Sequence, residues 1–464
     1  MSETTPFPSD FLWGSSISAY QAEGAILEDG KTLSAADLST RKPGFCDNAR
    51  ASDFYHRYRE DIALLAQMGA KAFRFSLSWP RIMPEGDGRV NAPGIAFYHA
   101  LLDELERYGI EPIVTLYHYD LPMPVYERFG GWADRRTVDA FCDYARVCFQ
   151  EFGGRIRYFL TINEPDIMFM YGGHGLDLTG EADFKRDRLI INHHFALAHA
   201  HAVSLCRELA PGALIAPVFG YVPVYAASCR PMDWIAARNL SDIQNRFFQE
   251  LFLNGRYDRF GLDFFERESL APRIEDGDME LIAYAKSDFI ALNYYKSDVA
   301  FWPDAEGLAA HRECCTVEDG MFATCPNPYT ERTAWGWDVD GTGIRCMLRE
   351  VYQAYRLPIM ITENGMAHLE RSEGSMVEDD YRIAYHEAHI AECGRAIAEG
   401  VDLRAYLTWS FLDLQSTSHG FGKRYGLVYI DHAEDGGGTW DRIPKKSFYW
   451  YRDLIAHNGA VPAA

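Results

Sequence analysis

Long apolar runs are missing from this chain. No segment holds the 18 or more uncharged apolar residues that a membrane-spanning helix requires, so such a span is excluded. The opening residues MSETTPFPSDFLWG lack a basic stretch followed by an apolar one, so export is not expected and the protein is placed in the cytoplasm. Basic charge is scarce as well: 45 Lys and Arg stand against 67 Asp and Glu, a formal charge of −22. That balance repels nucleic acid and anionic membranes at long range, and neither is expected as a partner. An anionic ligand must therefore meet a local basic pocket. The 10 cysteines show no CxxC spacing and only one adjacent pair, Cys314 and Cys315, which points to idle thiols in a reducing compartment and to neither a zinc site nor a disulfide framework. No Ser/Pro-rich linker or low-complexity tract divides the sequence, so residues 1–464 are expected to form one domain.

What is present is a large apolar inventory, 48% hydrophobic and 14% aromatic, enough for an extensive core. Eight short runs read as buried strands: FLWGSSIS from Phe11, AFRFSLSW from Ala72, IEPIVTLYH from Ile110, RYFLTINEP from Arg157, ALIAPVFG from Ala213, DFIALNYY from Asp288, PIMITENG from Pro358 and LRAYLTWSF from Leu403. Between them lie helical patterns, such as those from Phe54, Phe97 and Val138, in which apolar residues recur three and four apart and a Gly follows. Alternating strand and helix units in this number predict an α/β fold, a single (β/α)₈ TIM barrel with extended rim loops. The polar, Pro-containing stretch from about Phe301 to Thr333 is expected to be a long loop inserted after the sixth strand.

Polar residues gather at the C-terminal ends of these runs: Arg74, His118, Asn163 with Glu164, Asn293 with Tyr295, Glu363 and Trp409. In a (β/α)₈ barrel those ends converge on one face, where the active site lies. A single Glu at a strand end is commonly a rim ion pair, but two, each beside an Asn, form a pattern with chemical meaning. Strands four and seven stand across the ring from each other, so their carboxylates can flank one bond. Glycoside hydrolysis needs that geometry, with one carboxyl protonating the leaving oxygen and the other attacking the anomeric carbon.

With these motifs the chain resembles family 1 glycoside hydrolases from FLWGSSISAYQAEG at Phe11 to KKSFYWY at Lys445. The resemblance implies that Glu164 in TINEP is the acid/base and Glu363 in ITENG the nucleophile of a retaining double displacement. It places Gln21, His118, Asn163 and Trp409 where the family holds the sugar, and Arg74, Asn293 and Tyr295 around the nucleophile. A nearby Arg and a Tyr hydroxyl favour an ionised nucleophile, whereas desolvation and a neighbouring carboxylate favour a protonated acid. Neither step requires a metal or an organic cofactor, and none is expected; His118 has no neighbouring ligand pair in sequence.

One departure from the family's plain β-glucosidases bears on the substrate. Those enzymes usually carry a Glu, followed by Trp, seven residues after the strand-eight Trp, where the Glu grips the sugar's 4- and 6-hydroxyls. Counted from Trp409, the positions here hold Ser416 and Thr417. The 6-phospho-β-glycosidase branch has Ser at this place and a Lys-x-Tyr downstream, a pattern that Ser416, Lys423 and Tyr425 reproduce. A phosphate is repelled by Glu but accepts hydrogen bonds from Ser, Tyr and Lys. The expected activity is retaining hydrolysis of 6-phospho-β-glucosides to glucose 6-phosphate and an aglycone. The alternatives are a β-glucosidase for unphosphorylated sugars and, in another class, a barrel that binds carbohydrate without cleaving it, which the presence of both glutamates disfavours. Thr417, where phospho-β-galactosidases tend to have Trp, favours glucose. Tyr119 replaces the Trp that commonly follows the His.

Overall fold

The computed structural model describes residues 7–39, 48–173, 176, 178, 180–372, 376–417, 419–432 and 437–460. Eight parallel strands close into a barrel: β1 (Leu12–Ser16), β2 (Ala72–Ser76), β3 (Glu111–Tyr117), β4 (Tyr158–Asn163), β5 (Leu214–Gly220), β6 (Ile290–Tyr294), β7 (Ile359–Asn364) and β8 (Leu403–Trp409). Each pairs with its sequence neighbours, and the ring is sealed by β1 against β8, from Leu12 beside Ala405 to Ser16 beside Trp409. Every predicted strand run supplies one of them.

These runs lack a clean polar/apolar alternation because both strand faces are buried. The inward face packs a compact cluster that includes Ala72, Ile113, Leu160, Val218, Ala291, Met360 and Leu407. The outward face meets the surrounding helices in a far larger cluster, with Phe73, Phe159, Leu292 and Ile361 among its members. Helices α1 (Phe54–Gln67), α2 (Ala92–Tyr108), α3 (Arg136–Phe152), α4 (Glu181–Leu209), α5 (Gly341–Tyr355), α6 (Asp380–Ala398) and α7 (Lys446–Ala456) cover it, with shorter helices between β5 and β6. Local signals fix their ends. Helix α2 has Pro93 in its first turn and stops at Gly109, whose φ of 66° lets the chain turn left-handed. Helix α5 begins where the Asp340 side chain accepts from the Gly343 N–H at 3.0 Å.

The stretch 301–333 is not the plain loop expected of it. Strands Asp298–Phe301, Phe322–Cys325 and Val317–Glu318 join Val224–Ala226 in a four-stranded rim sheet, and Glu331–Arg332 pairs with Asp338–Val339. These strands are two to four residues long, and Val224–Ala226 comes from a segment that precedes β6 altogether. Strands that short leave no periodicity to read. Among the described residues, no helix is long and apolar enough to cross a membrane.

Candidate active site

The inward-facing alternation delivers polar residues to the top of the barrel. Along β2, Ala72 faces in, Phe73 out and Arg74 in; along β6, Ala291 faces in, Leu292 out and Asn293 in. On the two strands that carry the glutamates the alternation slips. In β4, Leu160 faces in, the Thr161 hydroxyl meets His199 of α4 at 2.9 Å, Ile162 joins the outer cluster, and Asn163 faces in again. The register with β5 shifts at that point, between Leu160 and Asn163, and the register of β7 with β6 shifts between Ile361 and Glu363. Such irregularities re-aim the side chains that follow them.

A cavity of about 540 Å³ opens at this end of the barrel. Gln21, His118, Glu164, Asn293, Tyr295, Glu363, Trp409, Ser416 and Tyr425 all contribute to its wall. Arg74 and Asn163 stand behind it, 0% and 1% exposed, and orient the wall residues. Arg74 donates to Glu363 Oε1 at 2.5 Å, to Asn163 Oδ1 at 2.5 Å and to Thr115 Oγ1 at 3.1 Å. The Tyr295 hydroxyl donates to Glu363 Oε2 at 2.5 Å, so each carboxylate oxygen has its own donor.

Glu164 is held by different partners. The Tyr119 hydroxyl donates to its Oε2 at 2.6 Å, and the Asn293 amide to its Oε1 at 2.8 Å. The resemblance groups Asn293 with the nucleophile's supports, but its side chain reaches Glu164, because Thr362 donates to its Oδ1 at 2.7 Å and turns the NH₂ away from Glu363. Asn163 in turn donates to the Tyr119 oxygen at 2.9 Å. Tyr119 and Glu164 both adopt positive φ, 75° and 46°, a conformation that non-glycine residues rarely take and that marks a backbone over-determined by its surroundings. Gly220 at the end of β5 leaves room for the Glu164 side chain: a Cβ there would come within 3.2 Å of Glu164 Oε1 and 2.5 Å of Ile167.

Electrostatically the pocket is dominated by burial. Glu363 is pushed up from its ordinary value to about 7 by burial, with Glu164 adding to the rise and Arg74 and Tyr295 opposing it. The Arg and Tyr therefore favour the carboxylate as the sequence predicts, but desolvation outweighs them. Gln21 is braced by Ser18, which donates to its Oε1 at 2.6 Å, and donates to the Gln415 carbonyl at 2.6 Å. His118 and Trp409 lie nearly parallel, ring centres 5.9 Å apart and 18° between planes, and form the aromatic floor.

A further part of the wall is built from the segment after β8, the strand that pairs with β7. Ser416 and Gly420 pair as an isolated bridge, the Ser416 N–H donating to the Gly420 carbonyl at 3.0 Å, and this folds the loop back so that Ser416, Thr417 and Tyr425 face the cavity. Lys423 is 2% exposed. It sits one ring behind the wall, its ammonium 3.9 Å from the centre of Trp337 and 5.6 Å from that of Tyr425. No carboxylate or hydrogen-bond acceptor among the described residues meets it, and burial lowers its pKa from 10.5 to about 8. Among the parts of the site that escape sequence reasoning are Trp337, which lines the cavity with Tyr171 and Lys296, and the hydroxyl of Tyr119. The WGW triplet at 335–337 has no spacing that ties it to Lys423, and the position of Tyr119 announces an aromatic wall but not a hydrogen bond to Glu164.

Comparison with known proteins accords with this geometry. A family model described as glycosyl hydrolase family 1 matches residues 3–460. An aryl-phospho-β-D-glucosidase of Bacillus subtilis is 40% identical over 467 residues, covering 98% of both chains. A 6-phospho-β-glucosidase of Escherichia coli is 37% identical over 98% of both. Among solved structures, a family 1 β-glucosidase from Thermotoga maritima superposes with a TM-score of 0.87 at 35% identity, covering 99% of this chain and 100% of its own.

Proposed function

Because the chain belongs to glycosyl hydrolase family 1, we propose that it hydrolyses 6-phospho-β-glucosides with retention of configuration, releasing glucose 6-phosphate and an alcohol, phenol or sugar. The Bacillus subtilis and Escherichia coli relatives carry phospho-β-glucosidase activity in their names, over essentially the full length of this chain. In this reading Glu363 attacks the anomeric carbon and forms a glycosyl ester, while Glu164 gives its proton to the departing oxygen. Arg74 and Tyr295 hold both oxygens of Glu363 in place for attack and favour its ionised form. Esterification removes the charge on Glu363, so Glu164 can then ionise and take a proton from the attacking water. Asn293 and Tyr119 fix the rotamer of Glu164 between these two roles. The aromatic floor of His118 and Trp409 supports the sugar's apolar face.

The observation that carries the phosphate specificity is Lys423, a buried ammonium with no acceptor among the described residues, in the same segment as Ser416, which stands where a carboxylate would repel an anion. Its four-carbon stem allows the ammonium to swing from Trp337 toward the cavity at Ser416 and Tyr425, where a phosphate gives it a charge-assisted hydrogen bond. The phosphorylated substrate also suits the cytoplasm, because its charge keeps it from leaving through a membrane. The test is the ratio of kcat/KM for p-nitrophenyl β-glucoside with and without a 6-phosphate, in the wild type and in Ser416→Glu. The wild type is expected to prefer the phosphorylated compound, and the variant to lose that preference by placing a carboxylate where the phosphate binds. A wild type that prefers the unphosphorylated glucoside would make the protein a plain β-glucosidase instead.

A further inference from the structure

A second cavity, of about 460 Å³, lies beside the catalytic one beneath the rim sheet, and the two share Tyr171 and Lys296 as a common wall. Its size falls in the range of small-molecule sites, roughly 300–1,000 Å³. Arg188 of α4 and Arg267 line it. Arg188 is 9% exposed and packs its guanidinium against Phe169 and Phe265, 5.3 Å and 4.8 Å from the ring centres. Its nearest carboxylate oxygen among the described residues is Glu268 Oε2, 3.5 Å from Nη2, and its Nε has no acceptor. A guanidinium carries five N–H donors in a planar fork, and leaving them unmet in a buried place is costly. Arg267 has no carboxylate partner among the described residues; Nη1 reaches the Met321 sulfur, at 3.6 Å. Two carboxylates of the cavity are already engaged, Asp298 by Lys296 at 2.7 Å and Asp338 by Arg332 at 3.0 Å, and the remaining acids of its wall are Glu268, 3.5 Å from Arg188, and Glu318.

We propose that this cavity is a second binding site, distinct from the catalytic pocket, for a small organic anion whose phosphate or carboxylate group is gripped by Arg188 and Arg267. Planar guanidinium forks match either oxyanion in bidentate fashion. Lys296 stands in both walls and directly follows Tyr295, which holds Glu363, so an anion beside Lys296 adjoins the nucleophile's support in the chain. Burial also disfavours the charged form of Arg188, a cost that an anion would relieve. The proposal stands apart from the phosphate subsite at Lys423.

The experiment titrates inorganic phosphate, and separately citrate, into the wild type, Arg188→Gln, Arg267→Ala and Lys423→Met by calorimetry at constant ionic strength. Arg267 is exposed, so its truncation leaves the core intact, and a circular-dichroism melt identifies any folding loss in Arg188→Gln. The expected result is a binding event that weakens at least tenfold in Arg188→Gln and in Arg267→Ala but persists in Lys423→Met. Phosphate alone showing this pattern assigns a phosphorylated ligand, and citrate alone a carboxylate one. If the catalytic subsite also takes phosphate, the wild type binds two and Lys423→Met one; if it does not, the wild type binds one and Lys423→Met is unchanged. Identical stoichiometry and affinity for both anions in the wild type, Arg188→Gln and Arg267→Ala would overturn the site.

Discussion

The two walls of the catalytic cavity are finished to different degrees. Around the glutamates of β4 and β7 the polar groups are met from within the protein: both oxygens of Glu363 and both of Glu164 accept hydrogen bonds, and Arg74 bridges Glu363 to Asn163. In the segment after β8, Lys423 is buried over Trp337 with no anion among the described residues beside it. The contrast separates chemistry from recognition. The groups that react are positioned before any substrate arrives, so little reorganisation is left for the transition state. In the proposed reading the group that recognises the phosphate is left incomplete, and an anionic substrate would supply the missing partner.

The largest effect should come from the finished wall. Glu363→Gly removes the proposed nucleophile, and turnover is expected to fall by roughly 10⁵-fold or more. Azide should restore reaction and give the α-glycosyl azide, since the small anion enters from the vacated face. A β-azide product would remove Glu363 from the nucleophile's role. The incomplete wall should show a smaller and more selective loss. In Lys423→Met, kcat/KM for the 6-phosphorylated substrate is expected to drop by about 2–5 kcal/mol, roughly thirtyfold to several-thousandfold, while the plain glucoside changes little. Equal losses on both substrates would mean that Lys423 serves the fold and not the phosphate.

A third experiment probes how far burial controls the finished wall. Glu363 must be ionised to attack and is pushed up to about 7, so kcat/KM should fall tenfold per pH unit below about 7. In Tyr295→Phe, which deletes a hydrogen bond to the carboxylate, that limb should move to higher pH. A limb that stays in place would separate Tyr295 from the ionisation of Glu363. The smallest effect is on stability. Burial lowers Lys423 from 10.5 to about 8, so between those values the unfolded chain binds a proton that the folded one has released. Stability therefore declines as pH falls through that window, and the full cost is in place below 8. Lys423→Met should stabilise the ligand-free protein at pH 7 by about 1–3 kcal/mol, with the gain vanishing above about pH 10.5, as read by denaturant melts at both pH values. A destabilised variant at pH 7 would show that the ammonium's contact with Trp337 outweighs its desolvation.

The barrel was legible in the sequence because its strands are buried on both faces and so stand out as unbroken apolar runs. The glutamates were legible because barrel topology brings strand ends together whatever the loops do. The rim sheet was hidden, since its strands of two to four residues include one paired with partners far away in sequence. Asn293 was matched to the wrong glutamate because its direction depends on Thr362, a neighbour across the β6–β7 pairing that no spacing announces. Lys423 stood out by its pattern with Ser416 and Tyr425, but that it is buried against Trp337 without a counter-charge emerges only from packing.

The seal between β1 and β8 has a consequence for how the protein is made. Leu12 cannot meet Ala405 until nearly the whole chain has left the ribosome, so the first strand waits through the synthesis of the other seven. Pairings this distant in sequence form slowly, and an unsealed barrel presents two open strand edges to any neighbouring chain. The yield of active enzyme in a cell should therefore depend on translation speed and chaperone supply more than on the stability of the finished barrel.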